Sequence, residues 1–259
     1  MIIKPDASRL LTEISRFLAE KNIPAFIVGG FVRDMLLGRD TADIDIAVGA
    51  DALEVASQAA AAFGGTYVPL DDINLTGRVI LPDKKRQIDF TTLKGDIRQD
   101  LARRDFTIDA MAIELNKSIK TVLDIKNIID PFNGQGDLRR RLVRAVSDII
   151  FREDTARLMR AVRIAAELNF RIEDATEILI TKDNQLITGV AGERVREELL
   201  RLLTLPGAGK RLFYLDKLGL LTTLIPELSR SKGVEQPKEH AWDVFDHSIQ
   251  TVTATELAQ

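Results

Sequence analysis

Residues 28–48, Val-Gly-Gly-Phe-Val-Arg-Asp-Met-Leu-Leu-Gly-Arg-Asp-Thr-Ala-Asp-Ile-Asp-Ile-Ala-Val, decide the fold. The final six, Asp43–Val48, alternate polar and apolar and read as a strand with one face toward a core. Residues two apart on a strand project from the same face, so Asp43 and Asp45 sit side by side while Ile44 and Ile46 turn inward. Two adjacent carboxylates repel unless a cation neutralises them. Their hard oxygens suit Mg²⁺, and paired Mg²⁺ ions can clamp the attacking and leaving oxygens of a phosphoryl transfer. Taken alone, the same pattern also describes an ordinary strand with a solvent face. Upstream, Gly29-Gly30 stands between the apolar run Ile23–Val28 and a helical stretch over Phe31–Leu37, closed by Gly38. A glycine pair there lets backbone amides approach a phosphate at the helix start, and Arg33 can add charge-assisted hydrogen bonds to it. A tight strand–helix turn is the plainer alternative. A phosphate cradle followed closely by a carboxylate pair is more specific than either feature.

The flanks read as follows. Residues 6–21 form an amphipathic helix with Leu10, Leu11, Ile14, Phe17 and Leu18 on one face. Asp51 caps an alanine-rich helix to about Ala62. Arg78–Leu81 and Gln87–Phe90 make a hairpin around Pro82-Asp83-Lys84-Lys85. Ile108–Leu115 and Thr121–Ile125 add strands. After about Asp137 helical periodicity takes over, through 152–169, 173–181 and 192–204, and resumes near Lys210 after Pro206-Gly207. Strands first and helices later predict an α+β fold with an all-α extension: a head over 1–148, a helical neck over 149–205, and the start of a helical body over 206–259.

Composition narrows the function. A chain of 259 residues with 45% hydrophobic and 29% charged residues fits a soluble globular protein with a real core. The absence of cysteine removes disulfides, thiolate metal sites and cysteine nucleophiles, and 2 His make a histidine-rich metal site a poor expectation. The opening MIIKPDASRL lacks the apolar core of a signal peptide, and no apolar run would span a membrane, so the expected location is the cytoplasm. The net charge of −3 argues mildly against nucleic acid. Its distribution argues the other way: Arg139, Arg140, Arg141, Arg144, Arg152, Arg157, Arg160, Arg163 and Arg171 form a basic island, although such a run can also be a solvated helix face.

The segment 28–48 resembles the signature of class II CCA-adding enzymes and bacterial poly(A) polymerases, and further segments agree in order. Arg103-Arg104-Asp105-Phe106-Thr107 resembles the family's ribose-selecting motif, DPFNGQGDLRRRLVRAV (130–146) its hinge, and REDTARLMRAVRIAAELNF (152–170) its base-selecting helix. Glu193-Arg194 with Glu197 resembles the motif that buttresses that helix. The resemblance implies a polymerase-β-like nucleotidyltransferase head with a mixed or antiparallel sheet, followed by a helical neck. It implies template-independent transfer of CMP or AMP from CTP or ATP to a tRNA 3′ end, with Mg²⁺ as cofactor. Asp43 and Asp45 would hold the metal, Gly29, Gly30 and Arg33 the triphosphate, and Arg104 and Asp105 the sugar and phosphates. Asp154 and Arg157 would read the base, with Arg160 and Arg163 on the same helix face. A carboxylate accepts from an exocyclic amine and a guanidinium donates to a ring nitrogen or carbonyl. Cytosine and adenine both present an amine beside an acceptor, so one such pair can admit both; a surface Asp–Arg pair without function is the alternative.

Asp89, in Gln-Ile-Asp-Phe-Thr-Thr-Leu, is a tentative third carboxylate or general base. Asp109 stands where the family usually has Asn, and Lys94 where it often has Arg. The short interval Lys94–Ala102, where full CCA-adding enzymes usually have a long flexible loop, resembles that of enzymes adding CC only. Poly(A) polymerase activity and an inactive RNA-binding relative remain alternatives. His240 and His247 lie in EHAWDVFDHSIQTV, which looks like the opening of an HD-type hydrolase domain; no working metal site is expected there. Nothing points to a membrane or protein partner.

Overall fold

The computed structural model describes residues 5–71, 75–115, 127–236 and 241–257. The chain forms two compact units, Met1–Leu138 and Arg139–Gln259. The boundary lies ahead of the expected 148/149 division, and the expected neck and body fall in one unit.

The first unit is built on a seven-stranded sheet. Its strands are β1 (Ala25–Val28), β2 (Asp43–Val48), β3 (Thr66–Asp71), β4 (Thr76–Ile80), β5 (Gln87–Thr92), β6 (Ala112–Leu115) and β7 (Ile128–Ile129). Their order is β3-β4-β5-β2-β1-β6-β7. β2 and β5 run parallel and the other neighbours antiparallel, so the sheet is mixed, as expected. The alternation in β2 is as read: Ile44 and Ile46 are buried, Asp43 is exposed and Asp45 half-buried. β5 repeats it, with Ile88 and Phe90 inward and Asp89 outward. The helices are α1 (Pro5–Glu20), α2 (Gly30–Leu36), α3 (Ala52–Phe63), α4 (Ile97–Ala102) and α5 (Gly134–Arg140). α1 buries Leu10, Leu11, Ile14 and Leu18. The Asp51 carboxylate accepts from the backbone N–H of Leu53 and Glu54, starting α3.

One strand expectation needs adjustment. The front of Ile108–Leu115 is not strand, because Thr107–Asp109 forms a 3₁₀ turn and only Ala112–Leu115 pairs in the sheet. Thr121–Ile125 lies outside the described residues.

The second unit holds α6 (Ile150–Glu153), α7 (Arg157–Leu168), α8 (Asp174–Asp183), α9 (Gly192–Leu203), α10 (Ala208–Lys217), α11 (Leu220–Leu224), α12 (Pro226–Ser231) and α13 (Val244–Leu257). It also carries a short parallel pair, β8 (Leu142–Val143) with β9 (Arg171–Ile172), so the extension is nearly but not wholly helical. The single helix expected over 152–169 is two. Asp154 takes an extended conformation, φ −147° and ψ 104°, and ends α6 before α7 begins. α7 then buries Leu158, Met159, Ala161, Val162, Ile164 and Ala165 along one side. Among the described residues no helix is long and apolar enough to cross a membrane.

Candidate active site

The carboxylates come together on the polar face of the first unit's sheet. The β2–β5 register sets Asp45 opposite Asp89, and the β4–β5 register sets Asp89 opposite Arg78. One row across three strands therefore carries Arg78, Asp89 and Asp45, with Asp43 one side-chain step along β2. Arg78 grips Asp89 with two prongs, Nε to Oδ1 and Nη2 to Oδ2, each at 2.7 Å. The hydrogen bond to Asp89 holds the Arg78 guanidinium above its usual pKa; burial opposes this, and the charges of Asp89, Asp43 and Asp45 add to it. Asp89 is thus beside the carboxylate pair, as expected, but both of its oxygens are engaged by a side chain that the sequence reading passed over.

The strand–helix turn brings a second set of groups to Asp45. Gly29 stands at φ 72° and ψ −140°, a conformation open to glycine and strained for other residues. A Cβ on Gly29 would lie 2.8 Å from Arg104 Nη1 and 3.3 Å from Asp45 Oδ2. The glycine backbone, the guanidinium and the carboxylate therefore border one small space. Arg104 follows α4, whose Asp96 and Gln99 form a reciprocal capping box. Its Nη2 makes only a long contact, 3.5 Å, to Asp100. Its buried Nε has no acceptor among the described residues. Asp105 is buried, and its carboxylate accepts from the backbone N–H of Phe106.

Arg33 is occupied differently. Its Nε and Nη2 donate to the two oxygens of Asp34 at 2.9 and 3.0 Å, and Nη1 donates to Asp109 at 2.7 Å. With its side chain only 13% exposed, Arg33 ties α2 to the 3₁₀ turn beside Gly30. Acidic Asp109 supplies the charge that completes this tie.

In the second unit, Asp154 closes α6 and Arg157 opens α7. Asp154 Oδ1 accepts from the Ala156 N–H at 3.2 Å and Oδ2 from Arg194 Nη2 at 2.8 Å. Burial pushes the Asp154 carboxyl up; the Arg194 hydrogen bond and charge, the Ala156 N–H and the Arg157 charge outweigh it and leave the group below its ordinary value. Arg157 Nη1 donates to the Ile150 carbonyl and to Glu153. Arg160 is exposed on α7. Arg163 is not on that exposed face. It is buried and donates to Glu198 of α9 and to Glu167, so it joins two helices. Glu198 was missed, since nothing local in sequence marks a partner on another helix. Arg194 was legible from its motif. His247 lies on α13, and His240 is outside the described residues.

Residues 25–97 and 78–144 match the sequence profile of the poly A polymerase head domain. Residues 169–232 match the profile described as the probable RNA and SrmB-binding site of polymerase A. A CC-adding tRNA nucleotidyltransferase of Geobacter sulfurreducens is 43% identical, over 71% of this chain and 41% of its own length. An A-adding tRNA nucleotidyltransferase of Deinococcus radiodurans is 37% identical over 88% of this chain and 51% of its own. The structure of the Thermotoga maritima CCA-adding enzyme complexed with tRNA-CCA superimposes with a TM-score of 0.77 at 34% identity, covering 91% of this chain and 55% of that one. The chain spans about half the length of the curated relatives it matches. Sequence and fold agree with these matches, and the chain belongs to the family of class II tRNA nucleotidyltransferases and bacterial poly(A) polymerases.

Proposed function

We propose that the protein transfers CMP, from CTP, to the 3′ end of tRNA without a template, and that addition stops at CC. The observation that carries the transferase reading is the meeting of Gly29, Arg104 and Asp45 beside Asp43. In the reaction the tRNA 3′-hydroxyl oxygen forms a bond to the α-phosphorus of the nucleotide, the bond between that phosphorus and the α–β bridging oxygen breaks, the hydroxyl proton is lost, and pyrophosphate leaves. The backbone at Gly29 and Gly30 accommodates the triphosphate at the start of α2. Arg104 brings the Nη1 end of its guanidinium, beside Gly29 and Asp45, to the nucleotide's sugar or phosphate oxygens. Asp105 and Arg33 act one step removed, by fixing the turn after Arg104 and the helix after Gly30. In the second unit, Asp154, oriented by Arg194, is an acceptor suited to an exocyclic amine, and Arg157 is a donor three residues on. Arg160 adds positive charge for RNA on the exposed side of α7.

The donor chemistry fits Mg²⁺. Among the described residues no group of three His, Asp or Glu is arranged to hold a metal without help. Two carboxylates on one strand face, completed by nucleotide phosphate oxygens, are a donor set that Mg²⁺ accepts. Held by Asp43 and Asp45, the ion would neutralise charge at the triphosphate and the attacking oxygen.

Restriction to CC is supported by the interval Lys94–Ala102. It is largely a capped helix, and the Lys94 N–H also reaches Asp100 at 3.5 Å, leaving little slack for a movement that would re-set the base site from C to A. The test is incubation with tRNAs ending before CCA, after C and after CC, each with every labelled NTP. CMP should enter the first two and AMP should enter the third poorly. AMP addition to tRNA-CC at a rate matching CMP addition would defeat the CC restriction. Long AMP tails on unrelated RNA would favour the polymerase alternative, and no incorporation at all would defeat the transferase reading of this chain.

A further inference from the structure

Arg78 stands at the β4 end of the acidic row with no role in the reaction as written above. Its two-pronged grip spans both Asp89 oxygens, the same lone pairs that a cation would use. Asp89 is nonetheless opposite Asp45 on the adjoining strand. Arg78 offsets one of the three carboxylate charges of Asp43, Asp45 and Asp89 directly, through its pair with Asp89.

We propose that Arg78 is a positioning residue that keeps Asp89 out of the metal's ligand set. In the nucleotide-free protein a divalent ion is then held weakly, by Asp43 and Asp45 alone, and becomes firmly bound only when a triphosphate adds its own oxygens. The ion and the nucleotide enter together, and the empty site does not saturate with metal. This rests on the assignment of Asp43 and Asp45 as the metal carboxylates.

The reasoning is a count of anionic ligands, which sets hard-cation affinity. Arg78→Gln releases Asp89 and removes a positive charge, so both effects tighten binding. Arg78→Gln combined with Asp89→Asn again leaves Asp43 and Asp45 as the charged groups, so affinity should return to the starting value. If Asp89 were already a ligand, that double variant would bind metal more weakly than wild type. A variant that merely damaged the sheet would also lose affinity. Tightening is therefore a readout that a purely structural role for Arg78 would not produce.

The experiment titrates Mn²⁺ into nucleotide-free protein, with free Mn²⁺ followed by electron paramagnetic resonance, for wild type, R78Q, R78K, R78Q/D89N and D45N. Expected is a gain of about tenfold in Mn²⁺ affinity for R78Q, a smaller gain for R78K, which keeps the charge without the fork, and wild-type affinity for the double variant. Unchanged or weaker binding by R78Q, or a double variant well below wild type, overturns the proposal. Should R78Q not fold, R78K decides: its affinity must rise. D45N separates the two levels of argument. Wild-type Mn²⁺ binding by D45N sinks the metal assignment itself, whereas loss of binding in D45N with no gain in R78Q sinks only the role of Arg78.

Discussion

Gly29→Ala tests the local geometry of the candidate site most directly. At φ 72° and ψ −140° an alanine is strained, at a cost of about 1–3 kcal/mol. The new methyl would also stand 2.8 Å from Arg104 Nη1 and 3.3 Å from Asp45 Oδ2. The guanidinium end can swing away. Asp45 has less freedom, because β2 is paired on both sides, to β1 and to β5. A shift of about 1 Å in groups at a reacting centre lowers rate by about a hundredfold. The expected result is a melting temperature lowered by several degrees, at about 2–4 °C per kcal/mol for a protein of this size, together with a CMP incorporation rate down by about two orders of magnitude. Gly38→Ala is the control. Gly38 also has positive φ, +68°, but a Cβ there would meet nothing within 4 Å. It should lose about 1–2 kcal/mol and keep its rate. Both variants are followed by thermal unfolding and by single-turnover incorporation into tRNA lacking CCA. Wild-type turnover in G29A would refute the reasoning, as would an equal loss in G38A, which would make strain rather than placement the cause.

Asp43→Ala and Asp45→Ala should each abolish incorporation in Mg²⁺ while the unfolding transition holds or rises, since carboxylate repulsion is relieved; measurable turnover near wild type speaks against the metal role. Arg163→Ala leaves Glu198 without its buried partner and should lower stability by about 3 kcal/mol, read from the denaturant midpoint; a change under about 0.5 kcal/mol would show that the pair does not hold α7 to α9. The Asp154 carboxyl lies below its ordinary 3.8, so the stability it draws from Arg194 is fully present above that value and is lost as pH falls through the lower, folded value. The stability gap between wild type and Arg194→Ala, about 1 kcal/mol or less for a pair this exposed, should therefore be flat from pH 5 to 9 and shrink below pH 4; a gap that changes around neutral pH would contradict it. Affinity for tRNA should fall with rising salt despite the acidic net charge, because phosphate contacts release counterions; a binding constant indifferent to salt would remove the basic island as an RNA surface.

Features set by neighbours in sequence were readable, and features set by distant charge were not. The alternation in Asp43–Val48 reports burial residue by residue, so the carboxylate pair and the strand beneath it followed directly. Asp51 and Gly29 act within their own turn and were equally plain. β3 gave no such signal: Thr66–Asp71 contains Pro69, has no alternation of burial, and is in the sheet by its pairing to β4. The break at Asp154 was hidden because Phe151 and Leu158 are both buried and continue one apparent stripe, while the interruption depends on a carboxylate bonding to the Ala156 N–H. Arginines were read least well. A guanidinium reaches far and takes whichever carboxylate the fold presents, so a motif can place its Cα without fixing its partner. Arg33 turns to Asp34 and Asp109, Arg163 to Glu198 across 35 residues of sequence, and Arg78 claims Asp89 through a hairpin register that the turn at 82–85 encodes. Arg104 is the contrasting case: its buried Nε has no acceptor among the described residues. Burying such a donor is unfavourable unless something completes it, and the Nη1 end of the same guanidinium borders the space between the glycine turn and Asp45. Among the arginines placed in the site by motif, Arg104 is accordingly the one whose own chemistry calls for a ligand.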